Sequence, residues 1–316
     1  MISFNCAQLA RAVRGKLLWG SSDQIFTGVT TDSRKVAPGN LFIPLVGEKF
    51  DGHSYIEQCF NSGAAVCLTE KPIPQRDNAA AILVDDTARA LRDLAAWHRS
   101  KYTAPVVGIT GSVGKTSTKD MIHCVLSRQY EVLKTQGNFN NEIGLPLTLL
   151  NLENKHEIAV IEMGMSNFGE ISRLTAIARP SIAVITNIGV SHIEKLGSQQ
   201  GILKAKLEIL EALKPDGLVV LNGDDPLLKE LAGKLSFRTV FYGMNPGLDC
   251  RAENYEPLGE AGSRFDISIS NKTYIVTIPV PGIHNVYNAL AAIATGLEMN
   301  IPMETIIEGI SNYSPG

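Results

Sequence analysis

The sequence predicts an α/β protein of two domains, the second a mainly parallel sheet flanked by helices and carrying a phosphate-binding loop. Three observations predict this. From Pro105 onward, short apolar runs alternate with segments of helical spacing. A glycine-rich turn, Thr110–Ser117, stands between one such run and a helical segment. Residues 1–100 have a different texture, strand-like runs broken by Gly, Pro and Asn. The length of 316 residues suits two or three domains at roughly 100–200 residues each.

The expected domains are 1–100 and 101–316. In the first, Gln24–Val29, Leu41–Val46, Ala65–Thr69 and Ala80–Val84 read as strands. Thr87–Tyr102 reads as a helix with Ala88, Leu91, Leu94, Ala95 and Trp97 on its apolar positions, stopped before Pro105. In the second, Pro105–Thr110 is a buried-strand candidate and a helix is expected to about Arg128. Ile158–Met163, Ile182–Asn187 and Leu218–Asn222 are further strands, with a helix over Gln200–Leu213 closed by Lys214-Pro215-Asp216-Gly217. Strands alternating with helices predict a parallel sheet covered on both faces.

After Gly243 the pattern changes. Phe265, Ile267 and Ile269 alternate with polar residues, as do Tyr274, Val276 and Ile278, with Asn271-Lys272 expected as the hairpin turn of a smaller antiparallel portion. Helices are expected over Asn285–Leu297 and Met303–Ile310, and Ser314-Pro315-Gly316 reads as loop.

Composition narrows the function classes. Lys plus Arg number 29 and Asp plus Glu 32, a balance that argues against a nucleic-acid or membrane-surface binder. Five cysteines (Cys6, Cys59, Cys67, Cys124, Cys250) form no CxxC pair, so neither a disulfide framework nor a zinc site is expected, and a reducing cytosol fits. The segment MISFNCAQLARAVRG lacks the apolar stretch of a signal peptide, and no apolar run suits a membrane span.

The strongest motif is Thr110-Gly111-Ser112-Val113-Gly114-Lys115-Thr116-Ser117. The strict phosphate-loop pattern wants glycine where Ile109 stands, with Gly108 and Gly111 on either side. Its mechanical content survives. Glycines let backbone N–H groups turn toward an anion, and the helix that follows adds partial positive charge. Lys115 can reach the outer phosphates, and the Thr116 hydroxyl can face Mg²⁺. An ordinary strand-to-helix turn is the bland alternative, disfavoured because strand, Gly-Lys-Thr-Ser and helix occur together.

Glu162 closes an apolar run, at the strand end where open α/β sheets bind ligands, and an oxygen ligand there suits Mg²⁺, with a helix-capping or surface glutamate as the alternative. His192 also follows a strand end; its position leaves a metal-ligand role and a satisfied polar role equally open. Lys204 and Lys206 read, on spacing alone, as lysines on a solvated helix face. A lysine ligates a metal only once its charge is removed, as carbamylation by CO₂ does.

These residues resemble the Mur ligase family over nearly the whole chain. The likeness runs in order through Thr31-Asp32-Ser33-Arg34, Gly39–Phe42, Phe50-Asp51-Gly52-His53, Thr110–Lys119, Gly137–Pro146, Glu162-Met163-Gly164, Thr186–His192, Ala205-Lys206 and Gly282-Ile283-His284-Asn285. The forms GNFNNEIGLP and GSVGKTST resemble the D-alanyl-D-alanine-adding branch. The resemblance implies that Lys115 grips ATP and that Thr116 and Glu162 hold Mg²⁺. His192 would ligate a second Mg²⁺, and Lys206 matches a lysine carbamylated in several members. Asn285 and Asn288 would contact the nucleotide. Ser33, Arg34, Lys49, Asp51 and His53 would belong to a UDP-sugar site in the amino-terminal domain, with Asn138 and Asn141 between nucleotide and substrate.

The implied activity is ATP-dependent joining of D-alanyl-D-alanine to UDP-N-acetylmuramoyl-tripeptide through an acyl phosphate, by a cytoplasmic monomer. Members have a third domain, expected to be missing after Gly316, so weakened activity is expected of this chain. Two rivals stand beside this reading: another ligase of the same type (a relative adding the preceding residue, or a folylpolyglutamate synthetase), and a phosphate-loop NTPase switch that forms no bond.

Overall fold

The computed structural model describes residues 3–314. Met1 and Ile2 of the amino-terminal segment, and Pro315 and Gly316, expected as loop, lie outside the described residues. The chain divides into two units. One runs to Thr103 and takes in Glu142–Glu153; the other comprises Ala104–Asn141 and the described chain from Asn154.

In the first unit a sheet is ordered Lys16–Trp19, Ala80–Leu83, Val66–Thr69, Leu41–Phe42, Val29–Thr30, parallel except for its first strand. The expected strand over Gln24–Val29 is split: Ile25–Thr27 pairs with Ser3–Asn5, and Val29–Thr30 joins the sheet. Gly28, at φ +77°, makes the break between them. A helix over Cys6–Val13 starts at a reciprocal cap between Asn5 and Gln8. The helix Thr87–Arg99, capped by Asp86, ends three residues before the expected Tyr102.

The segment Glu142–Glu153 departs from the boundary expected at residue 101. Its helix, Gly144–Leu149, buries Leu145 and Leu149, and the buried His98 ring lies 2.9 Å from the Leu152 carbonyl. Apolar burial therefore ties this stretch to the helix Thr87–Arg99.

In the second unit, among the described residues, a nine-stranded sheet has the order Lys272–Ile278, Ser263–Ile269, Cys250–Pro257, Arg238–Gly243, Leu218–Asn222, Ile182–Ile185, Val106–Thr110, Ile158–Glu162, Val132–Lys134. All neighbours are parallel from Val132–Lys134 to Cys250–Pro257; the last two pairings are antiparallel. The antiparallel portion thus extends the main sheet. Its turn is Ser270-Asn271, both at positive φ, one residue before the expected pair, and Lys272 already pairs with Ile269.

Strand Val106–Thr110 sits where the order reverses: the next strands add on one side, the later ones on the other. Such a switch opens a crevice at the carboxyl ends of the strands. Helices Lys115–Leu126, Ile283–Glu298 and Met303–Ser311 share one core through Met121, Ile122, Val125, Leu290, Ile293, Ile306 and Ile310. That core fixes the helix that begins at the glycine-rich turn.

Candidate active site

The turn after Val106–Thr110 is built on two constrained glycines. Gly114 caps the helix Lys115–Leu126 in the left-handed region, φ +80°. Gly111 has φ +155°, and a Cβ there would meet Thr186 Oγ1 at 1.9 Å. Glycine at 111 is thus required by a close approach. Ile109, where the strict motif wants glycine, is a fully buried strand residue, so the turn proper begins at Gly111.

The end of the neighbouring strand holds the turn in shape. Thr186 Oγ1 and Asn187 Nδ2 donate to the Val113 carbonyl at 2.7 and 3.0 Å, and Val113 N–H donates to Asn187 Oδ1 at 3.0 Å. Ser112 N–H donates to the Asn187 carbonyl at 3.1 Å, and Gly189 N–H to Ser112 Oγ at 2.8 Å. Thr186 and Asn187 had no individual role in the sequence reading; only the way two strand ends meet reveals them.

Lys115 Nζ donates to the Gly111 carbonyl at 2.8 Å. Burial lowers its pKa, and Glu162 opposes that shift. Glu162 is itself buried at the end of Ile158–Glu162. Its Oε2 accepts from Thr116 Oγ1 at 3.0 Å and its Oε1 from Asn140 Nδ2 at 2.7 Å. A hydroxyl and a carboxylate converging beside a phosphate loop are the hard oxygen donors that Mg²⁺ takes, with the remaining positions left to water and phosphate.

Lys115, Asn140, Asn141 and His192 line one cavity of about 290 Å³ together with Gly164, Met165, Ser166 and Glu170. His192 is exposed and holds a left-handed φ of +65°. Lys206 corrects the helix-face reading. Lys204 is exposed, but Lys206 is 3% exposed, with its pKa brought down to about 7 by burial and then by the Lys115 charge. The expected helix over Gln200–Leu213 is alpha-helical only over Gln199–Leu207 and then tightens at Glu208–Leu210. Asn138 is exposed and outside this cavity; the asparagine that reaches Glu162 is Asn140, which the sequence reading passed over.

A second cavity, about 320 Å³, also borders the turn. Val113, Gly114, Ser117, Asn187, Asn222, Tyr242, His284, Tyr287 and Asn288 are among its lining residues. Asn288 accepts from Thr118 Oγ1 at 2.8 Å and donates to Asn285 Oδ1 at 3.2 Å; Asn285 Nδ2 donates to the Pro281 carbonyl at 2.8 Å. His284 had no individual role in the sequence reading, and Asn222 and Tyr287 gave no sequence signal. Thr110 is buried at the strand end, and its hydroxyl lacks a hydrogen-bond partner among the described residues.

In the first unit, Ser33 and Arg34 line a cavity of about 450 Å³ with Thr31, Phe50, Tyr55 and Gln58. Asp32 caps the turn Ser33–Lys35 and accepts two 2.8 Å bonds from Arg34, which lower its pKa to about 2. Asp51 Oδ1 lies 2.7 Å from His53 Nδ1, and His53 Nε2 accepts from Glu70 N–H at 3.1 Å. The proton of a neutral ring therefore sits on Nδ1. His53 lines a neighbouring cavity with Phe60, Ile73 and Arg76, and Lys49 lines neither.

Residues 109–296 match the Mur ligase middle domain, and residues 25–99 match the Mur ligase family, catalytic domain. The chain belongs to the Mur ligase family. It is 47% identical, over 98% of its length and 67% of the relative's, to the UDP-N-acetylmuramoyl-tripeptide–D-alanyl-D-alanine ligase of Bacillus subtilis. Its fold matches MurF from Acinetobacter baumannii at TM-score 0.92 and 33% identity, covering 100% of this chain and 69% of that one. It also matches MurF ligase from Thermotoga maritima in complex with ADP at TM-score 0.83 and 29% identity, covering 92% and 66%. The Mur ligase chain thus spans about two thirds of the length of these relatives.

Proposed function

We propose that this Mur ligase joins D-alanyl-D-alanine to UDP-N-acetylmuramoyl-tripeptide at the expense of ATP, as a cytoplasmic monomer in peptidoglycan precursor synthesis. The observation that carries the reading is the 47% identity across 98% of the chain to a ligase of that name. No helix among the described residues is long and apolar enough to cross a membrane.

The chain's own groups suit phosphoryl transfer followed by acyl transfer. The nucleotide lies in the cavity of Ser117, Asn187 and Asn288, its phosphates over the N–H groups at Gly114 and Lys115. Lys115 exchanges its loop carbonyls for phosphate oxygens. Thr116 and Glu162 would hold Mg²⁺, which offsets phosphate charge when bound. The peptide carboxylate attacks the γ-phosphorus, ADP leaves, and an acyl phosphate forms. The amine of D-alanyl-D-alanine then attacks the activated carbonyl, loses a proton, and phosphate departs as the amide forms. Positioning and charge neutralisation dominate such a reaction, so no protein nucleophile is needed.

His192 and Lys206 would serve a second Mg²⁺, with Lys206 as its carbamate. A pKa near 7 supports this, because the neutral amine is the form that adds CO₂ and releases a proton. Ser33, Arg34, Asp51 and His53 would hold the UDP-sugar, Lys49 reaching it from the loop, while Asn138 and Asn141 flank the peptide.

Calorimetry with UDP-N-acetylmuramoyl-tripeptide and the corresponding dipeptide tests the reading. Tighter binding of the tripeptide is expected. Equal affinity for the dipeptide would remove the tripeptide as the substrate these two domains select, while leaving the ATP site standing.

A further inference from the structure

Glu162 has two carboxylate oxygens, and the two are treated differently. Oε2 faces the Thr116 hydroxyl at 3.0 Å, while Oε1 accepts from Asn140 Nδ2 at 2.7 Å. Asn140 is itself fixed. Its carbonyl accepts from Gly164 N–H at 2.8 Å, and its N–H donates to the Asn138 carbonyl at 2.7 Å. Its side chain lies flat on Gly164, where an added Cβ would come within 2.9 Å of Asn140 Oδ1. The strand backbone is held as well, by Glu162 N–H donating to Thr135 Oγ1 at 3.0 Å. The carboxylate therefore has a fixed rotation, with one oxygen committed to an amide and the other turned to the threonine of the phosphate loop.

We propose that Asn140 is a positioning residue that makes Glu162 a one-oxygen ligand and so sets which divalent ion the site accepts. Mg²⁺ is small, demands near-octahedral geometry and keeps several waters, so one carboxylate oxygen beside a hydroxyl suits it. Ca²⁺ takes more oxygens at longer distances and commonly uses both oxygens of a carboxylate. With Oε1 drawn to the Asn140 amide, the two-oxygen mode favoured by Ca²⁺ must break a short hydrogen bond to a buried acceptor. Partners that orient a metal ligand carry much of a site's affinity and selectivity. The inference rests on the reading of Thr116 and Glu162 as the ion's holders, and adds the source of its discrimination.

The test is ADP binding by calorimetry, with Mg²⁺ or Ca²⁺ as the only divalent ion. The native chain is expected to bind ADP more tightly with Mg²⁺. In Asn140→Ala the ratio of the two affinities should fall by about tenfold, mainly through better binding with Ca²⁺. Asn140→Leu keeps a similar volume, has no donor and adds no charge beside Glu162, and should move the ratio the same way, which covers the case in which the alanine variant fails to fold. An unchanged ratio in a folded variant overturns the inference while leaving the site reading intact. ADP binding by the native chain that is indifferent to any divalent ion overturns the reading of Thr116 and Glu162 itself.

Discussion

Lys115 Nζ lies 2.8 Å from the carbonyl oxygen of Gly111, so the lysine of the phosphate loop is bonded to the residue that opens the same loop. A buried ammonium needs acceptors, and the loop carbonyls of Gly111 and Ser112 supply them when no phosphate is present. The lysine is thereby kept near its working position, with its charge already inside the site.

Replacing that lysine separates binding from folding. Lys115→Met keeps the apolar stem and removes the charge, so the fold should survive. A hydrogen bond from a charged donor contributes about 1.5–3 kcal/mol, so ADP affinity should fall by roughly one to two orders of magnitude. Lys115→Arg should not restore it, because a planar fork does not replace a compact ammonium inside a tight turn. Calorimetric titration with ADP checks both variants; wild-type affinity in Lys115→Met would remove the lysine from the phosphate site.

The acidic side of stability offers a second test, on a residue away from the proposed metal ligands. His123, on the helix Lys115–Leu126, has its pKa lowered to about 4 by burial and by the Lys134 charge, with Lys119 adding to the shift and Asp120 opposing it. The folded state thus binds its proton less readily than the unfolded chain, whose value is near 6.5. Between those two values the unfolded chain carries more protons, so stability falls as pH is lowered from about 6.5 to about 4. His123→Gln should flatten that part of the profile. Urea midpoints at several pH values in this window measure it; parallel profiles for the two proteins would show that His123 is not the titrating group.

Much of this site could be read before any coordinates, and the rest could not, for identifiable reasons. Lys115, Thr116 and Glu162 follow from local grammar: a strand, a turn and a helix in sequence, and an acid at a strand end. Lys206 did not follow, because its environment is set by what packs over the helix Gln199–Leu207, and helical spacing alone shows no such cover. Asn140 was missed beside Asn138 and Asn141 because three neighbouring asparagines are equivalent in sequence, and the hydrogen bond from Asn140 Nδ2 to Glu162 is a long-range contact. The segment Glu142–Glu153 joined the first unit through Leu145, Leu149 and the Leu152 carbonyl, long-range contacts with no local signature. The hairpin slipped by one residue because Ser270 and Asn271, both at positive φ, form the turn that matches strand twist.

Lys206 gives the sharpest contrast between stability and use. It is 3% exposed and is pushed to a pKa of about 7 by burial and by the charge on Lys115. An amine in that setting costs the fold free energy whenever it is protonated. Lys206→Met fills a similar volume without the charge, so the variant should melt higher, by about 2–4 °C for each 1 kcal/mol gained in a domain of this size. The same change removes the amine that would take up CO₂. In ¹³C-bicarbonate the native chain should show a carbamate resonance that the methionine variant lacks. Calorimetric melting and ¹³C spectra decide the matter together. A lower melting temperature in the variant would mean that the lysine has a stabilising partner in solution. A native spectrum without the resonance at alkaline pH, where the amine is neutral, would leave Lys206 unmodified and the second ion without that ligand.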